Sequence, residues 1–467
     1  MGIIYPLITF PYVSRILSPE GIGKVEFANS IISFFILLSG LGISSYAVRE
    51  GAQKRNNQNE LNNFMSEMFW LGIIATIFSY ILLVILIFSV PKYYEIRILI
   101  FICSINVITN CIGFEYLFAA VEDFLYITIR TLLFQIISLV CLFIFVKTKN
   151  DFIIYAGIGV LSTSGSKVLN FFQIKKYIKL AKVNFKNMIN HLKPIMLFFG
   201  VTAATCIYQI LDTNMIGLLT DPYNVGIYNA AIKTIRIVIP FLTVIASTLV
   251  PRLSYYAYND LEKYNSTFLK VFNLVLMISL PSALGLLVLS EPIIMILCGQ
   301  QYVDSILLMK LLSPLVFFIL IGNMLSDNIF TPLKKDKYLL IPVIIGAIIN
   351  VIMNSIFIPQ FQALGAVIAT LIAEILVCII KVCFSIKIVK IKKLLNETWK
   401  YILASGIMFI VIFFVIQLFN NNFYKILISI TTGILIYFLV LLLCRSKYFL
   451  YFINVFLKKI IKNQIKD

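Results

Sequence analysis

The chain has 467 residues, 60% of them apolar, a mean hydropathy of +0.97 and a formal net charge of +18. That composition excludes a soluble globular domain, where about half the residues are apolar. It also weakens a nucleic-acid reading of the charge, because lysines beside cytoplasmic helix ends set membrane orientation and give the same excess.

Apolar runs recur along the whole chain, each long enough to cross a hydrocarbon core of about 30 Å. Fourteen spans are expected, over residues 2–17, 25–48, 68–90, 96–120, 124–146, 152–173, 193–219, 225–250, 268–290, 303–330, 338–357, 363–387, 399–419 and 424–444. The chain opens directly in the first apolar run, with no basic leader before it. This run is short and presents Tyr5, Thr9, Tyr12 and then Arg15 or Ile16 at helical spacing.

The segment SPEGIGKVEFA joins spans one and two. It returns as DPYNVGIYNAA between spans seven and eight at a constant offset of 203, pairing Pro19 with Pro222, Gly23 with Gly226 and Ala28 with Ala231. Weak internal symmetry of this kind marks transporters built from repeats. Span two then carries Glu26, Ser30, Ser33, Leu37, Gly40 and Ser44 on one face. Spans four to six hold Glu115, Arg130 and Lys167, charges expensive enough at membrane depth to need a reason. Glu122 and Asp123, at a helix end, read as solvated, and the glycine- and serine-rich stretch GIGVLSTSG inside span six reads as helix packing.

A basic loop, QIKKYIKLAKVNFKNMINHLK, separates spans six and seven, and a second, KIVKIKKLLNETWK, separates spans twelve and thirteen. Both read as orientation signals with affinity for anionic lipid. His191, the single histidine, lies in the first, which argues against a histidine relay or metal site. Span seven presents Thr202, Thr205, Gln209 and Asp212. Span eight presents Asn229, Lys233, Arg236, Pro240, Thr243 and Ser247. Lys310, Asp327, Glu374 and Lys381 are the further charges inside later spans. With the amino terminus cytoplasmic, about 26 basic residues fall on the cytoplasmic side and about six on the other, so both termini are expected inside. The eight cysteines, with no C-x-x-C among them, read as small buried hydrophobes.

Polar faces on spans one, two, seven and eight must meet each other or water, since lipid accepts neither. The expected fold is an all-α polytopic membrane protein of about 14 transmembrane helices: two pseudo-symmetric six-helix lobes around a central cavity, plus a C-terminal helix pair. The expected divisions are 1–174 for the first lobe, 175–192 for the basic linker, 193–388 for the second lobe and 389–467 for the terminal pair and tail. A mainly cationic interior suits an anionic cargo, with Arg15, Lys233, Arg236, Arg130 and Lys167 as candidate ligands, since arginine forks onto phosphate oxygens. Arg15 and Arg130 have a second reading, snorkelling or pairing with a nearby carboxylate. Asp212, with Glu26, Gln209 and Asn229, forms the candidate coupling or polar set. The Asp212 carboxylate could bind sodium, bind a proton or neutralise Lys233 and Arg236, and sequence does not choose. The short outer loops and the lack of a phosphate-binding G-x-x-x-x-G-K-[ST] argue against an enzyme, and no cofactor or metal is expected.

Several stretches then resemble one family. PLITFPYVSRILSPEGIGKVEFANSIISFFILLSGLGISSYAVRE at 6–50 is similar to the opening of the polysaccharide transport branch of the multidrug/oligosaccharidyl-lipid/polysaccharide exporters, which includes O-antigen and capsule repeat-unit flippases. MIGLLTDPYNVGIYNAAIK, LVPRLSYY, LPSALGLLVLSEPIIMILCG and ALGAVIATLIAE resemble later blocks of the same family. The resemblance implies twelve core helices around a V-shaped cavity. It implies a cargo of undecaprenyl-pyrophosphate-linked oligosaccharide, moved from the cytoplasmic to the outer leaflet of a bacterial inner membrane by alternating access. The family's opening has a stretch before the first helix that this chain lacks, so an incomplete start is an expectation. The lipid bilayer is the other expected partner, a polysaccharide polymerase and chain-length machinery are further candidates, and nucleic acid is not expected. The rival readings are a cation-coupled small-molecule antiporter of the same fold, a membrane glycosyltransferase or polymerase, and a non-transporting scaffold.

Overall fold

The computed structural model describes residues 4–181, 183, 185–389 and 395–454. Lys182, Lys390, Lys392, Lys393, Lys458, Lys459, Lys462 and Lys466 of the expected cytoplasmic set, and the chain start, lie outside the described residues. All regular structure among the described residues is helical. The chain divides into two compact units, Met1–Asn229 and Ala230–Asp467.

The first unit holds α1 (Ile4–Ile16), α2 (Ser18–Gly40), α3 (Ile43–Lys54), α4 (Gln58–Ser89), α5 (Arg97–Ile112), α6 (Glu115–Ala120), α7 (Phe124–Phe145), α8 (Phe152–Val160), α9 (Ser166–Gln173), α10 (Phe185–Leu219) and the first turns of α11 (Pro222–Ser247). The second unit takes the rest of α11, then α12 (Val250–Asn259), α13 (Leu261–Leu297), α14 (Asp304–Leu312), α15 (Leu315–Leu325), α16 (Asp336–Phe361), α17 (Ala363–Ile386), α18 (Thr398–Val415) and α19 (Asn422–Leu443). Twelve helical stretches among the described residues are long and apolar enough to cross a membrane, so the expected count of fourteen is not reached. The two expected spans not among them are the first, where α1 has only 13 residues, and the seventh, inside the 35-residue α10.

The repeat segments are not the loops that sequence suggests. SPEGIGK forms the opening turns of α2, and PYNVG those of α11. Proline explains both, since its missing N–H is unneeded in a first helical turn and its φ is already helical. The two segments then cross each other through their glycines. A Cβ on Gly23 would lie 1.7 Å from the Pro222 carbonyl oxygen, and one on Gly226 would lie 1.9 Å from that of Pro19. Span two also breaks where sequence reads it as continuous: Leu41 and Gly42 are left-handed, with φ of 43° and 77°, so α2 stops and α3 starts in a new direction.

A buried cluster of the first unit gathers Tyr46 and Ala47 of α3, Phe64 and Met68 of α4, and Leu117 and Phe118 of α6. The first basic loop is fastened to it, with Ile174, Ile178 and Met188 buried in the cluster. The Ala181 amide donates to Ser66 Oγ (2.9 Å), and Gln58 Nε2 donates to the Tyr177 carbonyl (2.6 Å). Asp123 is not simply solvated: it accepts from the Tyr126 amide, capping α7, and from the Tyr177 hydroxyl. Glu122 pairs with Arg55 at 2.8 Å. In the GIGVLSTSG stretch, residues Leu161–Gly165 widen into a π turn that aims Thr163 and Ser164 at Asn106 Oδ1 of α5 (2.7 and 2.6 Å). Gly165 packs on the Phe134 ring, and Gly157 and Gly159 have nothing within 4 Å of a Cβ, so the earlier part of the stretch packs through the buried Ile158, Val160 and Ser162 and not through its glycines.

In the second unit, α16 and α17 form a hairpin whose turn needs Gln362 at φ 54° and leaves no space for a Cβ on Gly365, 2.2 Å from the Phe357 carbonyl oxygen. The terminal pair α18 and α19 is integral to this unit. The Tyr437 hydroxyl donates to the Met277 carbonyl of α13 (2.7 Å), and that of Tyr401 donates to Asn273 Oδ1 (3.2 Å). The cysteine expectation fails in part: Cys103, Cys111, Cys298 and Cys378 are buried, but Cys383 is exposed and Cys141, Cys206 and Cys444 are half-buried. A thiol is apolar enough to face a membrane as readily as a core.

Candidate functional site

Polar side chains on membrane helices collect where several helices turn the same face inward. In the first unit α2, α3, α5 and α10 do this around a cavity of about 340 Å³. Its wall is mostly apolar, with Ile36, Leu37 and Ile210, and set into it are uncharged polar groups: Ser33 of α2, Ser44 of α3, Asn110 of α5, and Thr202, Cys206 and Gln209 of α10. No acidic or basic side chain lines it among the described residues. The geometry that shapes it starts at Gly42. There the left-handed turn lets α10 pass so close that a Cβ would sit 2.5 Å from the Phe199 amide nitrogen.

This cavity brings together residues from two of the expected polar faces. Ser33, Leu37, Gly40 and Ser44 come from span two, Thr202 and Gln209 from span seven. Gln209 is therefore a cavity residue. The side chain of Thr205 lies outside what is described. Asp212, one turn beyond Gln209, is 2% exposed, and the Tyr228 hydroxyl donates to its Oδ2 at 2.8 Å. Asn229 is also buried; its Nδ2 donates to the Val225 carbonyl (2.9 Å) and to Thr213 Oγ1 (3.4 Å). Glu26 is half-buried on α2, within electrostatic reach of Tyr155 and Cys103.

None of the expected cationic ligands is among the residues that line this cavity. Arg15 ends α1 and is exposed. Arg130 is 3% exposed and donates through Nη2 to Glu115 Oε1 (3.1 Å), the pairing that was one of its two readings. Its Nε and Nη1 are buried without a hydrogen-bond acceptor among the described residues. Lys167 lays its stem against Gly113, where a Cβ would be 3.1 Å away. Lys233 and Arg236 stand on the part of α11 in the second unit, the first half-buried and the second exposed. Also in that unit, Lys381 is 7% exposed and donates to the Gly322 carbonyl (3.3 Å) beside the π turn at Ser326–Phe330, with Asp327 and Glu374 within electrostatic reach.

Sequence reasoning missed Asn110, Cys206 and Tyr228. Asn106, Thr109 and Asn110 follow helical spacing in an otherwise apolar span, which was the available signal for the first. Tyr228 carried none, since tyrosine is common throughout this chain.

The model of a family described as polysaccharide biosynthesis protein matches residues 1–257. A protein of Escherichia coli (strain K12) named "Putative O-antigen transporter" is 23% identical over 387 residues, covering 82% of this chain and 92% of the relative. Its namesake in Shigella dysenteriae is 26% identical over 391 residues, covering 83% and 96%. The capsular polysaccharide biosynthesis protein CapF of Staphylococcus aureus is 22% identical over 370 residues, covering 78% and 90%. Among solved structures, lipid II flippase MurJ in an inward closed conformation superposes with a TM-score of 0.76 at 22% identity, covering 94% of this chain and 95% of that one, so the two share a fold.

Proposed function

The chain belongs to the polysaccharide biosynthesis protein family, and from that premise we propose that it is a flippase that moves a lipid-linked glycan across the bilayer. The cargo is an undecaprenyl-pyrophosphate-linked repeat unit for O-antigen, capsule or another surface polysaccharide. It is turned from the cytoplasmic to the outer leaflet of a bacterial inner membrane, with both termini cytoplasmic. The observation that carries this reading is the neutral cavity of the first unit. At about 340 Å³ it is at the small end of ligand pockets, about 300–1,000 Å³. Its hydroxyls and amides match the donors and acceptors of sugar hydroxyls without the desolvation cost of a charge.

In this reading the neutral wall of the first unit takes the sugars, and the candidate pyrophosphate ligands are Arg15 of that unit, with Arg130 and Lys167 as weaker candidates, and separately Lys233 and Arg236 of the second unit. Arg130 is weaker because it is buried and its Nη2 already donates to Glu115. Movement of cargo follows an alternating-access cycle. The small-molecule antiporter reading is less favoured, since a cavity with no carboxylate among its described lining offers an organic cation nothing to pair with.

The test is a proteoliposome assay with a fluorescent undecaprenyl-pyrophosphate-linked oligosaccharide, scored by its accessibility to an impermeant glycosidase. The full chain should speed translocation far above empty vesicles, and Asn110→Ala, Gln209→Ala and Arg236→Ala should each slow it about tenfold or more, as loss of a hydrogen bond to a bound polar group does. Translocation no faster than in empty vesicles, with uptake of a labelled organic cation instead, would overturn the proposal in favour of the antiporter.

A further inference from the structure

The chain's one histidine stands where three helices of the first unit meet. His191 lies within α10 rather than between helices. Its Nδ1 is 2.8 Å from the Tyr46 hydroxyl of α3, and its Nε2 is 2.9 Å from Glu67 Oε2 of α4. The His191 and Glu67 side chains are only 17% and 11% exposed. The ring is held edge-on to Phe64 at 5.5 Å and tilted against Tyr46 at 5.7 Å.

Only one neutral form satisfies both ring nitrogens. An ionised carboxylate only accepts, so Nε2 carries the hydrogen and donates to Glu67, and Nδ1 accepts from the Tyr46 O–H. A further proton adds to the Nδ1 lone pair. Nδ1–H then donates to the Tyr46 oxygen, the phenol hydrogen swings away, and the Nε2–H bond to Glu67 becomes charge-assisted. No covalent bond breaks, so the frame accepts and returns one proton, and the hydrogen bond that ties α3 to α10 reverses its donor as it does so.

The charged and titratable groups around it come from every element packed here. Helix α3 brings Arg49 and Glu50, paired at 3.0 Å, and Lys54, over the Phe64 ring at 4.7 Å. Helix α4 brings Glu67, α10 brings the exposed Lys193, and Tyr116 of α6 and Tyr177 of the basic loop lie in the adjoining cluster. The two helices joined by Tyr46 and His191 are also walls of the neutral cavity, through Ser44 on α3 and Thr202, Cys206 and Gln209 on α10. They touch again at Gly42 against Phe199, and where the Arg49 guanidinium lies over the Phe198 ring at 5.0 Å.

We propose that Tyr46, His191 and Glu67 form a proton-binding site whose occupancy resets the α3–α10 contact beside the cavity, coupling transport to a proton gradient. The coupling half of this inference rests on the flippase reading; the proton site itself does not.

The experiment uses the full chain in two measurements. First, with ¹⁵N-labelled histidine, the single imidazole reports its own protonation by NMR. Its protonation state should differ between the two pH values that the transport assay imposes across the bilayer, and Glu67→Gln should alter the tautomer seen when it is neutral. An imidazole that keeps one protonation state at both values overturns the proposal whether or not glycan moves. Second, in proteoliposomes holding the fluorescent lipid-linked glycan and a lumenal pH dye, an imposed proton gradient should accelerate translocation and produce glycan-dependent proton movement. His191→Gln, which keeps a donor and an acceptor but cannot take the proton, should lose both, while Lys193→Gln keeps both. A His191→Gln chain that responds to the gradient as the parent does sinks the inference. If the parent moves no glycan under any gradient while its imidazole titrates, the flippase reading fails and the proton site survives.

Discussion

At the scale of single residues, the glycines of the repeat are the least replaceable positions. A methyl group on Gly23 or Gly226 meets a backbone carbonyl, which cannot swing aside as a side chain would. Gly23→Ala and Gly226→Ala should each reduce stability by about 3 kcal/mol or more, the upper end for overpacking. Gly285→Ala and Gly406→Ala, with nothing within 4 Å, should be close to neutral. Thermal unfolding in detergent reads the difference, and equal behaviour of the two pairs would contradict the crossing. The Arg130–Glu115 pair is asymmetric in another way, its side chains being 2% and 48% exposed. Glu115→Gln strands a buried cation, whereas Arg130→Met frees a carboxylate that water can reach. After allowance for the half-exposed acid, Glu115→Gln should cost about 1–3 kcal/mol and Arg130→Met less. The reverse order in the same unfolding assay would show that the guanidinium is not held by Glu115.

At the scale of elements, helix ends are set by short signals that sequence displays and helix partners by packing that it does not. Asn57 caps α4, accepting from the Asn59 and Glu60 amides (3.2 and 3.4 Å), and Asn57→Ala should cost about 1 kcal/mol. Asp260 caps α13, accepting from the Lys263 amide at 3.0 Å. The Lys263 side chain first, and its amide second, hold the Asp260 carboxyl below its ordinary range. A lowered value means the ionised cap favours the folded helix. Its contribution is complete above about pH 4 and is lost as pH falls through the lowered value. Hydrogen exchange at the Lys263 amide should therefore speed up in acid, and Asp260→Asn, which cannot titrate, should abolish that dependence. An unchanged pH profile in the variant would mean that another group frays the helix.

At the scale of the whole molecule, orientation follows from charge. In the orientation proposed above, which puts the lysine-rich loops in the cytoplasm, Lys149→Cys should react with an impermeant maleimide on intact cells, and Lys335→Cys only after permeabilisation. The opposite labelling would invert the topology and the direction of transport proposed above. The helical class, the family and most membrane runs were legible in the chain, because apolar length and charge bias are local properties that water and lipid read directly. The polar faces of spans two and seven were legible too, as spacing. Which faces would meet was not: Asn110 and Cys206 join Ser33 and Gln209 only because α5 and α10 pack on α2 and α3. The same holds for His191. In the sequence it is one residue in a basic loop, 145 positions from Tyr46 and 124 from Glu67. Spacing along a chain reveals what shares one helix face, and only close packing decides what stands opposite it, because side-chain contacts form between elements whose separation in sequence carries no signal.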